Sequence, residues 1–207
     1  MKNKKYYIPF TLLVLFIINS LLVVNNKYNV IDKNVHDFVI KFSSETMTKI
    51  MKVFTFLGST PFIIGLCILI FIILMILKKK DYAFKCAGIL VISTLLNNIV
   101  KVIIRRPRPE YITVIENTFS YPSGHTMASV TLYGFLIYYL FKTKISKSYK
   151  ILFSILLGII PFVVAISRIY LGAHYFSDVF GAMLLSLALL TSIDLLYDKV
   201  KKNNKTN

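Results

Sequence analysis

The sequence predicts an all-α integral membrane protein: a bundle of six transmembrane helices, with short amphipathic helices between spans one and two. Three observations carry this. First, 56% of the 207 residues are apolar and the mean hydropathy is +0.68. Second, the apolar residues gather into runs that, at about 1.5 Å per residue, cross a hydrocarbon core about 30 Å thick. Third, the lysines cluster between those runs, as membrane-flanking loops do. The formal net charge of +16 therefore reads as loop charge at a bilayer, and no nucleic-acid partner is expected. The length fits one membrane-embedded domain over residues 1–207. Cys67 and Cys86 lie in apolar surroundings, with neither a disulfide framework nor a zinc spacing.

The elements follow in order. Lys2, Lys4 and Lys5 precede an apolar run over residues 7–24, and no small-residue cleavage site follows it. This is an uncleaved first span. Val35, Phe38, Val39 and Phe42, then Met47, Ile50, Met51 and Phe54, recur at helical spacing with charges between them. They predict two short helices, either lying on the membrane surface or packed on the bundle as a hairpin. The second span covers residues 60–77 and ends at Lys78, Lys79 and Lys80. The third covers 82–104, with Asn97 and Asn98 at a depth where polar groups face protein or water. Pro107 and Pro109 stop it. A polar loop over 105–122 leads into the fourth span, 127–141. After Lys142, Lys144, Lys147 and Lys150 comes the fifth, 151–169, with Pro161 as a kink. The sixth covers 177–197, and a Lys-rich tail follows.

Orientation follows from charge. The N-terminus, the 78–85 and 142–150 loops and the tail carry 15 basic residues, and the opposite side carries 10. The positive-inside rule then puts both termini in the cytoplasm. The Lys-, Asn- and Ile-rich composition suits a bacterial plasma membrane. Arginine is scarce: of 25 basic residues only Arg105, Arg106, Arg108 and Arg168 are Arg, and all four fall on the outer side. Topology does not ask for them there. Their bidentate geometry suits carboxylate or phosphate instead.

Three stretches converge at that outer end: Lys101 to Pro109, Pro122-Ser123-Gly124-His125, and Ser167 to Asp178. His174 and Asp178 are four apart, so on a helix they share a face. A carboxylate there fixes the imidazole tautomer and leaves the other nitrogen free to attack. Lys101, Arg108 and Arg168 can neutralise phosphate oxygens. Ser123 and Gly124 open a helix, whose N-terminus offers N–H groups to an anion; Ser123 can equally be a plain N-cap. His125 titrates near neutrality and can protonate a leaving oxygen. Two histidines and a carboxylate also suit a transition metal. So many cations in one pocket would repel a divalent ion, so no metal and no cofactor are expected.

Lys101-x6-Arg108-Pro109, Pro122-Ser123-Gly124-His125 and Ser167-Arg168-x5-His174-x3-Asp178 resemble the three signature motifs of the type 2 phosphatidic acid phosphatase superfamily. The motifs span residues 101–178, complete and in order. The resemblance implies a metal-independent lipid phosphatase. His174 would form a phosphohistidine and Asp178 would orient it. His125 would protonate the leaving group, and Lys101, Arg108, Ser123, Gly124 and Arg168 would hold the phosphate. Arg105 and Arg106 are not signature positions, and their roles stay open.

The expected partners are the bilayer and a lipid phosphate or diphosphate. An outward-facing site favours undecaprenyl diphosphate, with phosphatidylglycerophosphate and phosphatidic acid as alternatives. A non-enzymatic anion or lipid transporter would need the cations but not the spacing of His174 and Asp178. A phosphotransferase would use the same nucleophile with an alcohol in place of water. Oligomeric state is not readable from the sequence.

Overall fold

The computed structural model describes residues 4–110 and 118–203, with side chains from Tyr6 to Leu195. It contains eight helices, α1 Lys4–Val24, α2 Asn29–Ile40, α3 Glu45–Phe56, α4 Thr60–Ile76, α5 Lys80–Ile104, α6 Gly124–Lys142, α7 Lys147–Tyr170 and α8 Phe176–Asn203. No strand occurs among the described residues. Residues 111–117 of the expected 105–122 loop, and the tail beyond Asn203, lie outside the described residues.

The bundle is organised around α8. Of its apolar span, 61% is buried, against 17–22% in α1, α5 and α7. It packs on α1, α5 and α6, while α6 also packs on α7. The core joins Phe16, Tyr121, Met127, Leu132, Phe135, Ala182 and Leu185. The outer faces are apolar too: Ile68 and Ile72 of α4, Ile155 and Phe162 of α7 are about half exposed or more. In water such a surface would be very costly; in a bilayer it is the matched solvent.

Four helices among the described residues are long and apolar enough to cross a membrane: α1, α5, α7 and α8. A fifth span arises if α3 and α4, bent by 43° at a short break, count as one. Of the six expected spans, α6 falls short of this apolarity. Its first half carries Thr126, Ser129 and Thr131, all buried, because this half faces the bundle interior and the candidate site. Pro161 lies within α7, which continues through it to Tyr170.

The two short helices exist where expected. They pack on the bundle, α3 along α7 and α2 against α7 and α8. Of the expected apolar positions, Val35 and Val39 join the packing, against Ala165, Ile169 and Val179. Phe38 and Phe42 turn outward and are about 60% exposed. The Ser44 hydroxyl caps α3 by accepting from Met47 N at 3.0 Å.

The chain between α5 and α6 is pinned through Tyr121, which is fully buried. Asn19 Nδ2 of α1 donates to its hydroxyl at 2.9 Å, and Ser20 Oγ lies 2.9 Å from it. The ring reaches this place only because α8 carries Gly181 there. A Cβ at that position would lie 2.4 Å from Tyr121 Oη and 2.8 Å from Asn19 Nδ2. Gly181→Ala should therefore destabilise the fold by about 1–3 kcal/mol through overpacking. Thermal unfolding in detergent should show a lower Tm. Gly88→Ala on α5, where a Cβ meets nothing within 4 Å, should leave Tm unchanged or raise it.

Candidate active site

The turn from α7 to α8 builds the centre of the site. Ala173 N–H donates to Arg168 O and Gly172 N–H to Ile169 O, both at 3.0 Å. These two bonds form a Schellman stop, which needs a left-handed residue just past the helix. Gly172, with φ 66°, supplies it. The chain then turns at once into α8. Asp178, in the first turn of α8, reaches back to accept from Tyr175 N–H at 3.0 Å, half of a capping box. His174 is left between two helices with its ring 2% exposed.

The expected His–Asp pair forms, though not on one helical face: His174 sits in the turn before α8. His174 Nδ1 lies 3.5 Å from Asp178 Oδ2. Ser120 Oγ donates to the same Oδ2 and lies 3.4 Å from Nδ1. The other carboxylate oxygen, Oδ1, accepts from Arg106 Nη1 at 2.6 Å. Arg106 Nη2 in turn donates to Asp32 Oδ2 of α2 at 2.7 Å. Asp32 also caps α8, accepting from Ser177 N at 2.9 Å and Ser177 Oγ at 2.7 Å. The Arg106 guanidinium lies over the Tyr175 ring, 4.0 Å from its centroid. The sequence left Arg106 without a role, and it missed Asp32, Ser120 and Ser177. The scarcity of arginine was the one available signal for Arg106. Asp32 and Ser120 carry no local pattern. Arg105, in contrast, ends α5 in a left-handed conformation and donates to Val102 O at 3.0 Å.

Burial pushes the His174 pKa down from its ordinary value to about 4. The Asp178 carboxylate pulls the other way, and Arg168 and Arg108 add to the depression. At neutral pH the ring is neutral. With Nδ1–H turned to the carboxylate, Nε2 keeps its lone pair. Arg108 Nη1 lies 3.3 Å from that Nε2 and also donates to Ala173 O at 2.8 Å. Its other nitrogens donate to Thr118 O at 2.7 Å and Thr118 Oγ1 at 3.1 Å. A phosphate held by Arg108 would thus meet Nε2 directly.

Nε2 faces a cavity of about 590 Å³. Lys101, Arg108, Gly124, His125 and His174 line its polar end. Lys101 is buried, and its ammonium donates to Phe119 O. Gly124 and His125 are the first residues of α6, so this helix starts at the cavity. Ser123 serves as its N-cap, accepting from Thr126 N, and its own N–H donates to Asp178 O at 3.2 Å. Ser123, Arg168 and Asp178 are not among the lining residues. Arg168 is buried, with Nη1 donating to Thr55 Oγ1 of α3 at 2.9 Å. Among the described residues, no three His, Cys, Asp or Glu side chains are grouped to hold a metal ion.

The arrangement is that of a membrane phosphatase, a hydrolase acting on lipid phosphate esters, and comparison with known proteins agrees. The model of the PAP2 superfamily matches residues 82–202, more than half of the chain, and the chain belongs to that superfamily. It is 29% identical over 199 residues to phosphatidylglycerophosphatase B of Bacillus subtilis (strain 168), covering 95% of this chain and 98% of the relative. It is similar to the crystal structure of a transmembrane PAP2-type phosphatidylglycerolphosphate phosphatase from Bacillus subtilis, with a TM-score of 0.85 and 28% identity. That match covers 94% of this chain and 98% of the other. Aquifex aeolicus LpxE shares the fold at a TM-score of 0.63 and 21% identity, over 79% of this chain and 93% of that one.

Arg106 bridges two buried carboxylates and does not line this cavity, so its loss should act through Asp178. Arg106→Gln leaves both acids without their cation and should cost about 3–5 kcal/mol of stability. At temperatures where the variant stays folded, kcat should fall about 10–100-fold with KM little changed. Arg106→Lys should restore stability in part but not the bidentate hold. A rise in KM at unchanged kcat would instead place Arg106 in direct substrate contact.

Proposed function

We propose that this protein hydrolyses the terminal phosphate monoester of a glycerophospholipid, of the phosphatidylglycerophosphate type. The observation that carries this reading is the cavity. It runs from His174 and its cations into an apolar groove between α4 and α5, walled by Ile64, Ile68, Val91 and Leu95. All four are more than half exposed on the lipid-facing surface. A lipid can lie with its phosphate at His174 and its chain in the bilayer, entering sideways. The undecaprenyl diphosphate expected from an outward-facing site gives way to this reading. The relatives that match along nearly the whole chain are named for phosphatidylglycerophosphate.

In this mechanism His174 Nε2 attacks phosphorus and the bond to the lipid oxygen breaks. His125 delivers a proton to that oxygen. Asp178 stabilises the imidazolium through Nδ1–H, and water then cleaves the P–N bond, releasing phosphate. Lys101, Arg108 and the start of α6 hold the phosphate oxygens, with Ser123 fixing that helix start, while buried Arg168, expected among the holders, adds its charge from outside the cavity lining. The low His174 pKa keeps the nucleophile unprotonated at neutral pH. Protonation shuts it off only as pH falls toward 4. The acid limb of kcat/KM set by this group should therefore lie well below the ordinary histidine range near 6.5.

The decisive assay measures phosphate release from phosphatidylglycerophosphate, phosphatidic acid and undecaprenyl diphosphate, in excess EDTA, with vanadate as inhibitor. The first should be the best substrate. Rapid-quench labelling should trap an acid-labile phosphoenzyme in the wild type and none in His174→Ala. His125→Ala should be least damaging with a good leaving group such as p-nitrophenolate. Activity lost in EDTA and restored by a divalent ion would overturn the metal-free mechanism.

We also propose that the termini face the cytoplasm and the site faces outward, on the 15-to-10 distribution of basic residues. In a background lacking Cys67 and Cys86, Glu110→Cys should react with an impermeant thiol reagent in intact cells. Labelling only after lysis would reverse the orientation.

A further inference from the structure

The cavity wall is graded, and the grading repeats on three helices. On α5 the lining residues run from Ala87, Leu90 and Val91 through Ser93, Thr94 and Leu95 to Asn97, Asn98 and Lys101, so polar side chains gather toward the charged end. On α4 it reads from Thr60 to Ile63 and Cys67, and on α6 from His125 to Met127 and Ala128. α4 and α6 start at the site end and α5 finishes there, so all three grade in the same direction in space. At about 1.5 Å per residue, Asn98 lies about 4.5 Å along the axis from Lys101, and Thr94 about 10.5 Å. Uncharged polar side chains thus stand between Lys101 and the apolar positions Ala87 and Leu90, beside the groove wall at Leu95.

Within this zone Ser93 and Asn97 serve the fold, and Asn98 does not. Asn97, its neighbour in sequence, is buried and donates to Pro122 O at 3.1 Å. Asn98 lines the cavity as Asn97 does, but it is exposed and makes no side-chain hydrogen bond among the described residues. A primary amide at membrane depth without a partner is costly. Thr94 Oγ1 spends its proton on Leu90 O at 2.9 Å, and its lone pairs remain as acceptors. Thr60, exposed at the start of α4, adds a second hydroxyl across the cavity.

From this we infer that Asn98, with Thr94 and Thr60, forms a subsite for the oxygen-rich glycerol segment of the lipid, between its scissile phosphate and its acyl chains. The inference rests on the glycerophospholipid reading and deepens it. In phosphatidylglycerophosphate the atoms next to the terminal phosphate include a hydroxyl, which can donate to Thr94, and phosphodiester and ester oxygens, which accept from the Asn98 amide; phosphatidic acid offers ester oxygens alone. A polyprenyl or simple alkyl phosphate carries only hydrocarbon there. It would leave the Asn98 amide unpaired, and the site would discriminate against it.

The test compares a diacyl phosphatidic acid and phosphatidylglycerophosphate with a long-chain alkyl phosphate, using purified full-length protein in mixed micelles. The wild type should favour both glycerolipids. Asn98→Leu should lower the ratio of kcat/KM for glycerolipid over alkyl phosphate about fivefold, mainly through KM. Thr94→Val should lower it by a smaller factor with phosphatidylglycerophosphate, whose headgroup hydroxyl can donate to Thr94, and leave the phosphatidic acid ratio unchanged. For Asn98→Leu, equal losses on all substrates, or an unchanged ratio, would overturn the subsite alone. A loss confined to phosphatidylglycerophosphate would narrow the contact to its headgroup glycerol and phosphodiester and still support the subsite. A wild type that favours the alkyl phosphate would overturn both the glycerophospholipid reading and the subsite.

Discussion

A carboxylate buried at the start of a membrane helix is tolerable only if every oxygen lone pair finds a donor. Asp178 meets that demand, and in doing so it ties the site end of the molecule together. Its donors are Arg106 from the segment after α5, Ser120 from the segment before α6, Tyr175 N–H of its own turn, and the imidazole of His174. Arg106 cannot be buried against one acid without geometry to spare, and its second nitrogen takes Asp32. Asp32 then brings α2 onto the start of α8 through Ser177. Helix α2 is thus held by an ionic hub as well as by Val35 and Val39, which explains why it packs on the bundle while Phe38 and Phe42 turn away.

The hub also sorts charge. Asp178, Asp32 and Arg106 stand behind His174, out of the cavity. Lys101 and Arg108 stand in front of it and line the cavity. The imidazole sits at the boundary, with Nδ1 toward the acids and Nε2 toward the cations. Burial keeps it neutral, and the carboxylate offsets part of that cost. A group placed this way can take positive charge on Nδ1–H while its other nitrogen meets an anion, as attack on phosphate requires.

Much of this was legible in the sequence, and the limits have physical causes. The long spans were readable because hydrocarbon demands long apolar runs, and α5, α7 and α8 end within a few residues of the expected bounds. The signature residues were singled out because phosphate chemistry restricts residue types, and the structure brings Arg108, His174 and Asp178 together. Membrane topology alone then predicted that the three stretches meet. Partners chosen by tertiary contact were not readable. Asp32 looks like any acidic residue in the first turn of a helix, and Ser120 like any loop serine; only the fold shows that both serve Asp178. The His174–Asp178 spacing suggested a helical face, but the Schellman stop at Gly172 puts the histidine in the turn instead. The same spacing of four gives contact either way, so the pair was right and its local structure was not.

The shortfall of α6 as an apolar span follows from the same logic. A helix whose N-terminus must serve an anion needs Ser123 as cap, Gly124 and His125 at the cavity, and polar side chains in the next turns. Thr126 donates to Ser123, Ser129 to His125 O, and Thr131 pairs with Ser93 of α5 at 3.0 Å. Each removes hydropathy from α6, and each is acceptable because α5, α7 and α8 enclose that half of the helix. The four arginines show the converse. They break the charge bias expected on the outer side, and three of them are the fixed donors around His174 and Asp178 or, for Arg168, the buried cation tied to Thr55. Departures from the rules of membrane insertion thus gather at one end of the bundle, and they mark the site as clearly as the motifs do.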